Sequence, residues 1–349
     1  MDENYSRFES KLGPRLEHCT MKIVIPGGSG QVGTLLGRAF HRGGHEVIEL
    51  SRRPLAARAW RVVKWDGRTL GAWTAELEAA DAVINLAGRS VNCRYTAENR
   101  QQIMQSRVDS ARAVGEAITK AKRPPRVWLQ ASTATIYAHR YDAANEERTG
   151  ILGGSEPDVP DTWRFSIAVA NAWEQAVTEA GPLRQTRTVL LRSAVTLSPD
   201  PGSAFEMLLR LVRFGLGGTS GDGRQYVSWI HEIDFIRAIY RLIEDDALAG
   251  AVNLASPNPL PNAEFMRMLR AAWGIRFGLP ASAWMLEVGA VFLRTETELI
   301  LKSRRVVPGR LLEDGFRFEF PHWNDAAREL CERWRKQLNT SHFLPTLSG

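Results

Sequence analysis

Short runs of apolar and β-branched residues alternate with helical stripes up to about residue 200. The runs predict strands at 22–26, 46–50, 61–65, 82–86, 126–131 and 187–192. Between several of them, apolar residues recur at i, i+3 and i+4, which is typical of amphipathic helices, at 32–40, 103–118 and 169–177. Strands with so little polar alternation are buried on both faces. The pattern therefore predicts an α/β fold with a Rossmann-type, doubly wound parallel sheet.

Helical stripes dominate the chain beyond residue 200. After Pro257, large apolar residues recur at helical spacing and require a partner surface: Phe265, Met266, Leu269, Trp273, Trp284, Met285, Val288 and Phe292. We expect them to form a smaller, mainly helical region over the carboxyl ends of the strands, where ligands of such sheets bind. The predicted organisation is a polar extension (1–20), a dinucleotide-binding domain (21–256, with substrate-side segments at about 197–235) and a C-terminal cap (257–349).

Composition narrows the class of protein. The 349 residues carry 45 Lys and Arg against 39 Asp and Glu, a net charge of +6, but the basic residues are scattered, so we expect no nucleic-acid partner. No apolar stretch reaches the roughly 18 residues of a membrane span, and residues 1–20 lack the apolar core of a signal peptide. The cysteines are widely spaced, which fits a reducing compartment. We expect a cytoplasmic monomer or homodimer without membrane contact.

The sharpest motif directly follows the first predicted strand. It reads Gly27-Gly28-Ser29-Gly30-Gln31-Val32-Gly33 and leads into the first helical stripe. In such a turn the first glycine allows a tight bend, the third lets a pyrophosphate approach the backbone, and the last allows close packing. The N–H groups and the positive dipole end of the following helix favour phosphate. The motif predicts a dinucleotide-binding site, with an ordinary strand–helix turn as the alternative.

The residues after the second strand indicate which dinucleotide binds. Ser51, Arg52 and Arg53 stand where NAD-binding proteins carry the acidic residue that holds the adenosine ribose. Guanidinium groups bind a 2′-phosphate instead, so we predict NADP (NADPH) as the cofactor. The alternative for both arginines is surface charge alone. Asp66, after the third strand, is predicted either to contact the adenine amino group or to cap its own loop.

The fourth and fifth strands end in small residues that let a cofactor lie across the sheet edge. These are Leu86, Ala87 and Gly88 after the fourth strand, and Ala131 before the segment Ser132-Thr133-Ala134-Thr135-Ile136-Tyr137. Together with the glycine motif, they resemble extended short-chain dehydrogenase/reductases, more closely the sugar-nucleotide epimerase-like branch called the epimerase family. Residues 305–316 resemble the C-terminal domain of unknown function that ends this branch. The resemblance runs from residue 21 to about 330, and it implies a Rossmann-type fold, a nicotinamide dinucleotide and a roofed substrate cleft.

The chain departs from the wider superfamily at its catalytic pair. There, a Ser or Thr on the fifth strand acts with a Tyr-x-x-x-Lys pair on the next helix, in which the tyrosine is the general acid/base. Thr133 matches the hydroxyl position, with Ser132 beside it. However, Ser166 and Ala170 occupy the tyrosine and lysine positions, and no tyrosine of the chain has lysine four residues on. The usual proton relay therefore cannot operate.

Other residues are candidates for the missing proton transfer and for substrate binding. Tyr137 and His231 are candidate proton donors, with packing and a structural hydrogen bond as their respective alternatives. Arg224 and Gln225 follow a glycine-rich turn and are predicted to contact an anionic substrate. Arg192 leaves the sixth strand toward the cleft, where a buried ion pair is equally plausible. We predict no metal site.

The resemblance implies an NADP-binding epimerase or oxidoreductase that acts on a small polar substrate, either free or linked to a nucleotide. Its proton chemistry would be unusual, because the Tyr-x-x-x-Lys pair is absent. The alternative is a non-catalytic NADP-binding sensor or scaffold, linked to cell division as some relatives of this branch are.

Overall fold

The computed structural model describes residues 20–53, 58–157, 159–181, 183, 185–282 and 298–342. The strands are β1 (Lys22–Pro26), β2 (Glu46–Ser51), β3 (Arg61–Lys64), β4 (Ala82–Asn85), β5 (Val127–Thr133), β6 (Arg187–Ser193), β7 (Val195–Leu197), β8 (Tyr226–Val227), β9 (Trp229–His231), β10 (Gly250–Leu254) and β11 (Leu260–Pro261). The α-helices are α1 (Gln31–Arg42), α2 (Ala97–Lys120), α3 (Asp161–Thr178), α4 (Ala204–Arg213), α5 (Glu232–Glu244), α6 (Asn262–Trp273), α7 (Glu298–Leu301), α8 (Gly309–Glu313) and α9 (Trp323–His342). Short 3₁₀ turns lie at Ala72–Leu77 and Ala134–Ile136.

A seven-stranded parallel sheet forms the centre of the molecule, in the order β3-β2-β1-β4-β5-β6-β10. The predicted fold class is confirmed. The strand order switches sides at β1: β2 and β3 follow on one side, and β4 and the later strands lie on the other. The carboxyl ends of β1 and β4 therefore flank the crevice in which ligands of doubly wound sheets bind. The strands begin close to the predicted positions, but β5 continues to Thr133 and so includes both predicted hydroxyl residues.

Helices cover both faces of this sheet. Side chains of successive strand residues point to opposite faces. Accordingly, Ile23 and Ile25 pack with α1 and α5 in one core, whereas Val24 packs with α2 and α3 in the other. All three side chains are buried. Burial on both faces explains why the strand sequences read as almost unbroken apolar runs.

A third core joins the C-terminal region to the rest of the chain. Helices α4, α6 and α9 share it, and Phe265, Met266 and Leu269 are buried there as the helical spacing predicts. Residues on both sides of position 256 share this core. The division of the chain into two domains at that position stays a prediction. Part of the predicted stripe lies outside the described residues: Trp284, Met285, Val288 and Phe292. The predicted extension lies outside them as well, except for its last residue.

Residues 302–307, here called the crossing segment, run over the carboxyl side of the sheet. The backbone N–H of Arg304 donates to the carbonyl of Tyr226 at 2.8 Å, and that of Asn145 donates to the carbonyl of Arg305 at 2.6 Å. Val306 is fully buried beside Tyr137 and Ala170. The C-terminal region therefore reaches the carboxyl side of the sheet. In the described part of the chain, no helix is both long and apolar enough to cross a membrane.

Candidate functional site

The turn between β1 and α1 is compact because backbone atoms lie where Gly27 and Gly33 would otherwise carry side chains. Gly27 has φ +76° and donates its N–H to the Leu50 carbonyl at 2.9 Å. A Cβ on Gly27 would lie 2.6 Å from the backbone of Ala87, and one on Gly33 would lie 2.5 Å from the backbone of Gly28. The first and last glycines thus do what the motif predicts: one permits the bend and the other the close approach of α1.

The first turn of α1 offers a favourable place for an anion. Gly30 is the N-cap residue, with no side-chain cap, and the first turn holds no acidic residue. The first N–H groups of a helix have no intrahelical partner and carry the positive end of the dipole. Ser29, Gly30 and Gln31 are exposed, and a Cβ on Gly30 would come no closer than 3.7 Å to any atom, while Val32 packs against the core. The residues present therefore fit a pyrophosphate.

The end of β2 presents two guanidinium groups to solvent. Ser51 is buried and its hydroxyl donates to the Arg53 carbonyl at 3.0 Å, which shapes the turn. Arg52 and Arg53 are both exposed. An anion bound beside this turn would meet both positive charges without displacing an ion pair to any residue that the structure describes.

Asp66 caps its own loop. Its carboxylate accepts the N–H groups of Arg68 and Thr69, each at 2.9 Å, and the Thr69 hydroxyl at 2.5 Å. Although burial alone would raise the pKa of Asp66, these hydrogen bonds outweigh it and lower the pKa to about 2. The contacts favour the loop-capping alternative, and a contact with adenine stays a prediction.

Buried amides fix the carboxyl ends of β4 and β5. Asn85 donates to Gln130 at 2.9 Å and accepts the Ala87 N–H at 3.1 Å. Both amide side chains are fully buried. This pair holds the small residues predicted to line the cofactor at the same sheet edge: Leu86, Ala87, Gly88 and Ala131. Of these, only Gly88 is exposed, and the other three are half-buried.

A buried network accounts for several predicted catalytic and substrate residues. Arg192 donates to both carboxylate oxygens of Glu174, at 2.9 and 2.8 Å, and to the Tyr137 hydroxyl at 3.0 Å. The Tyr137 hydroxyl donates onward to Asn253 at 2.9 Å, and Ser132 donates to Glu174 at 2.6 Å. Burial raises the pKa of Tyr137. These contacts favour packing for Tyr137 and the buried ion pair for Arg192, rather than proton donation or substrate binding.

Thr133 differs from its neighbour Ser132. Its hydroxyl accepts the Thr135 N–H at 3.1 Å and caps the following 3₁₀ turn, but the residue stays half-exposed. One lone pair and the hydroxyl proton are left over for a bound group. Of the two predicted hydroxyls, Thr133 is therefore the better placed to contact a ligand.

His231 ties the sheet side to the C-terminal helix. The ring is fully buried, accepts the Ile233 N–H at Nδ1 (3.2 Å) and pairs through Nε2 with Glu329 at 2.9 Å. Phe320 stacks on the ring with centroids 4.0 Å apart. This is the structural hydrogen bond that the sequence left open as the alternative, and it explains the residue without a role in proton donation.

The predicted substrate pair divides between a buried and an exposed residue. Gln225 is buried, and its amide donates to the carbonyls of Ser220 (2.8 Å) and Ile300 (3.3 Å), so it braces the turn. Arg224 is exposed, with its guanidinium 5.6 Å from the ring centre of Tyr141. Only Arg224 is placed to meet a ligand from solvent.

A polar cluster that the sequence did not predict surrounds Ser166, the residue at the tyrosine position. The Ser166 hydroxyl donates to Glu298 and lies 3.5 Å from the Tyr95 hydroxyl. Glu298 is buried and lies 3.6 Å from Arg304. The guanidinium groups of Arg304 and Arg107 both interact electrostatically with the Tyr95 phenol. A phenol, a carboxylate and a cation thus converge where the superfamily carries its catalytic pair.

Lys302 adds an amine beside this cluster. It is buried and donates to the Thr135 carbonyl at 2.7 Å. Burial, reinforced by nearby Arg304, lowers the pKa of Lys302 to about 8. Ala170 occupies the position at which the superfamily carries its lysine, and it packs under the 3₁₀ turn. No local motif indicates the cluster, since 132 positions separate Ser166 from Glu298.

The fold and the glycine-rich turn agree with the family comparison. The model of the NAD dependent epimerase/dehydratase family matches residues 23–255, which is more than half of the chain. The chain belongs to this family. A second model, a domain of unknown function (DUF1731), matches residues 281–330. Both matches agree with the resemblance based on the glycine motif, the strand-end motifs and residues 305–316. That resemblance is therefore confirmed.

Relatives match over almost their whole length. The human epimerase family protein SDR39U1 is 31% identical over 313 residues, 89% of this chain and 99% of that protein. The epimerase family protein YfhF of Bacillus subtilis is 30% identical over 89% of this chain and 98% of that protein. A crystal structure of human SDR39U1 (isoform 2) with NADPH superposes with a TM-score of 0.77 at 30% identity, covering 89% and 99%.

A sugar-nucleotide enzyme also shares the fold. The nucleoside-diphosphate sugar epimerase from Corynebacterium glutamicum superposes with a TM-score of 0.72 at 25% identity, covering 99% of this chain and 66% of that chain. In the part of this chain that the structure describes, no group of three or more His, Cys, Asp or Glu is arranged to hold a metal ion.

Proposed function

We propose that this protein binds NADP(H) at the carboxyl edge of β1, β2 and β4 and acts as an epimerase-family oxidoreductase on a small polar substrate, free or nucleotide-linked. The observation that carries the proposal is the first turn of α1. This turn lacks a side-chain cap and an acidic residue, and the glycine-rich turn leads directly into it. The human relative of similar sequence was crystallised with NADPH.

The preference for NADP follows from charge at the end of β2. Arg52 and Arg53 stand exposed where an acidic residue would bind the ribose of NAD. A guanidinium–phosphate contact contributes about 1.5–3 kcal/mol. We therefore expect NADPH to bind at least tenfold more tightly than NADH. Isothermal titration calorimetry with both cofactors tests this, and equal affinity or a preference for NADH would contradict it.

The proton chemistry is assigned to the cluster around Ser166. When bound, NADP supplies the hydride acceptor or donor, so the chain itself must accept or deliver the proton of the substrate hydroxyl. Tyr95 and Glu298 are the two groups of the cluster that can do so, the second through the Ser166 hydroxyl. The charge of Arg304 stabilises the anionic form of either group, which is the base before it accepts a proton and the form left after it delivers one. Thr133 and Arg224 would orient the substrate.

Turnover assays test the mechanism. Acid–base relays typically contribute roughly 10²–10⁴-fold, and the usual one is absent. We therefore expect weak or no NADPH oxidation with simple ketones and aldehydes, and weak or no epimerisation or NADP reduction with UDP-sugars. Robust turnover of a common sugar nucleotide would contradict the expectation that the missing Tyr-x-x-x-Lys pair keeps activity on such substrates weak. For any substrate that is turned over, Glu298→Gln and Tyr95→Phe should lower kcat while NADPH affinity stays constant. Glu313→Gln, at an exposed ion pair with Arg148, is the matched control.

NADPH binding without turnover of any compound would instead favour the sensor or scaffold function. We further propose a cytoplasmic monomer or homodimer whose partner is the small-molecule substrate, without nucleic acid or membrane. Light scattering across a range of protein concentrations tests the oligomeric state.

A further inference from the structure

A guanidinium with one unengaged edge projects from the middle of α2. Arg107 donates through Nη1 to the backbone carbonyls of Arg89 at 3.0 Å and Ile103 at 3.1 Å. Its Nε and Nη2 donate to no residue that the structure describes, and neither nitrogen is sealed from solvent. The residue is half-buried. The hydrogen bonds of Nη1 therefore fix the group in place, while the opposite edge stays available to a ligand.

The neighbours of this guanidinium place it beside the candidate site. A Cβ on Gly88 would lie 3.2 Å from Cζ of Arg107, so the side chain abuts the exposed glycine that follows β4. The ring centre of Trp173 on α3 lies 5.0 Å from the same Cζ. The positive charge also acts on the phenol of Tyr95, whose hydroxyl is 3.5 Å from that of Ser166. Arg107 therefore stands between the end of β4 and the groups assigned to proton transfer.

The charge of Arg107 is not compensated within the described part of the chain. Arg304, the other guanidinium that acts on Tyr95, lies 3.6 Å from the Glu298 carboxylate. By contrast, no carboxylate of the described residues forms an ion pair with Arg107. Burial lowers the pKa of Arg107 to about 10, as expected for a cation that has lost water without gaining an anion. An anionic ligand would restore that balance.

The geometry of the available edge matches a carboxylate. Nε and Nη2 of a guanidinium form a planar fork whose spacing fits the two oxygens of such a group. The same molecule shows this mode of binding, because Arg192 holds Glu174 through its own Nε and Nη2 at 2.9 and 2.8 Å. A carboxylate carries one negative charge, which one guanidinium compensates, whereas a phosphate dianion would need a second available cation. The charge of Arg304 is already shared with Glu298.

We propose that Arg107 binds a carboxylate of the substrate through Nε and Nη2, and that the substrate is therefore a hydroxy acid or the corresponding oxo acid. This inference rests on the proposed function and names its substrate class. Oxidation of the hydroxy acid would transfer the carbon-bound hydride to NADP and the hydroxyl proton to Tyr95 or Glu298, which leaves the oxo acid and NADPH. Arg107 holds the carboxylate and exchanges no proton, so its contribution is the placement of the acid beside these groups.

A pair of ligands that differ only in charge tests the inference. Racemic lactate and its neutral isostere lactamide are titrated into the complex of the full chain with NADPH, in which neither is oxidised. Calorimetry gives the two dissociation constants. We expect the parent protein to bind lactate at least about tenfold more tightly than lactamide, since the two differ by a charge-assisted pair of hydrogen bonds. Arg107→Met, whose side chain still packs against Trp173, should bring the two affinities to within about twofold of each other.

Arg112→Met is the matched control. It removes the same charge from the same helix, at an exposed ion pair with Glu179, and should keep the parental preference for lactate. If Arg107→Met does not fold, Arg107→Gln keeps a donor for the Arg89 carbonyl and carries the same expectation.

Three results would count against the inference. A parent protein that binds lactate no better than lactamide, or binds neither, would overturn it and leave the proposed function standing. A folded Arg107 variant that keeps the preference for lactate would do the same, including one that loses NADPH affinity instead, because the guanidinium would then serve the cofactor. A parent protein that binds no NADPH would overturn the proposed function and this inference with it.

Discussion

Replacing Glu174 by alanine should strongly destabilise the protein, because it leaves the buried Arg192 guanidinium without its carboxylate partner. Arg192 makes two of its hydrogen bonds to Glu174, at 2.9 and 2.8 Å, and the two side chains are only 10% and 13% exposed. Hydrogen bonds to charged groups each contribute about 1.5–3 kcal/mol, and removing one partner of a buried pair typically costs about 3–5 kcal/mol. The remaining contact with the Tyr137 hydroxyl at 3.0 Å compensates only part of this loss.

Urea unfolding followed by circular dichroism measures the effect. We expect Glu174→Ala to lower the free energy of unfolding by about 3–5 kcal/mol. Glu179→Ala is the control, since it removes an exposed ion pair with Arg112 near the end of the same helix and should cost at most about 1 kcal/mol. A loss below about 1 kcal/mol for Glu174→Ala would refute the reasoning. Arg192 would then be free to act as the substrate residue that the sequence equally allowed.

Three further outcomes are expected. Gly27→Ala should abolish NADPH binding in calorimetry, because its Cβ would lie 2.6 Å from the Ala87 backbone, whereas Gly67→Ala, with a similar φ of +84° but open space, should bind as the parent does. The pKa of Lys302 is lowered to about 8 from its ordinary 10.5, so the unfolded chain binds more protons between these values. Unfolding free energy should therefore rise from pH 8 to pH 10, and Lys302→Met should remove that rise; an identical slope would contradict it. Truncation after Ser256 should lower the melting temperature and weaken NADPH binding, because it removes α6 and α9, two of the three helices that share the third core. An equally stable fragment with parental affinity would show an independent appendage.

The sequence alone determined the sheet and the glycine-rich turn. The β-branched runs, the helical spacing and the glycine motif all express local requirements of the backbone: burial on two faces, a positive φ at Gly27 and a close approach at Gly33. Such requirements act on residues that are near one another in the chain. They can therefore be read from order and spacing, as was the absence of the Tyr-x-x-x-Lys pair at Ser166 and Ala170.

Tertiary structure alone decided what the polar residues contact. Tyr137, Arg192 and His231 carry chemically capable groups, but long-range hydrogen bonds to Asn253, Glu174 and Glu329 engage them. The cluster of Ser166 with Glu298 was invisible in the sequence for the same reason. A side chain's chemistry depends on its neighbours, and elements far apart in the chain supply those neighbours only when they pack together. Periodicity indicates which face of an element is buried, but it does not indicate which side chains of other elements pack against that face.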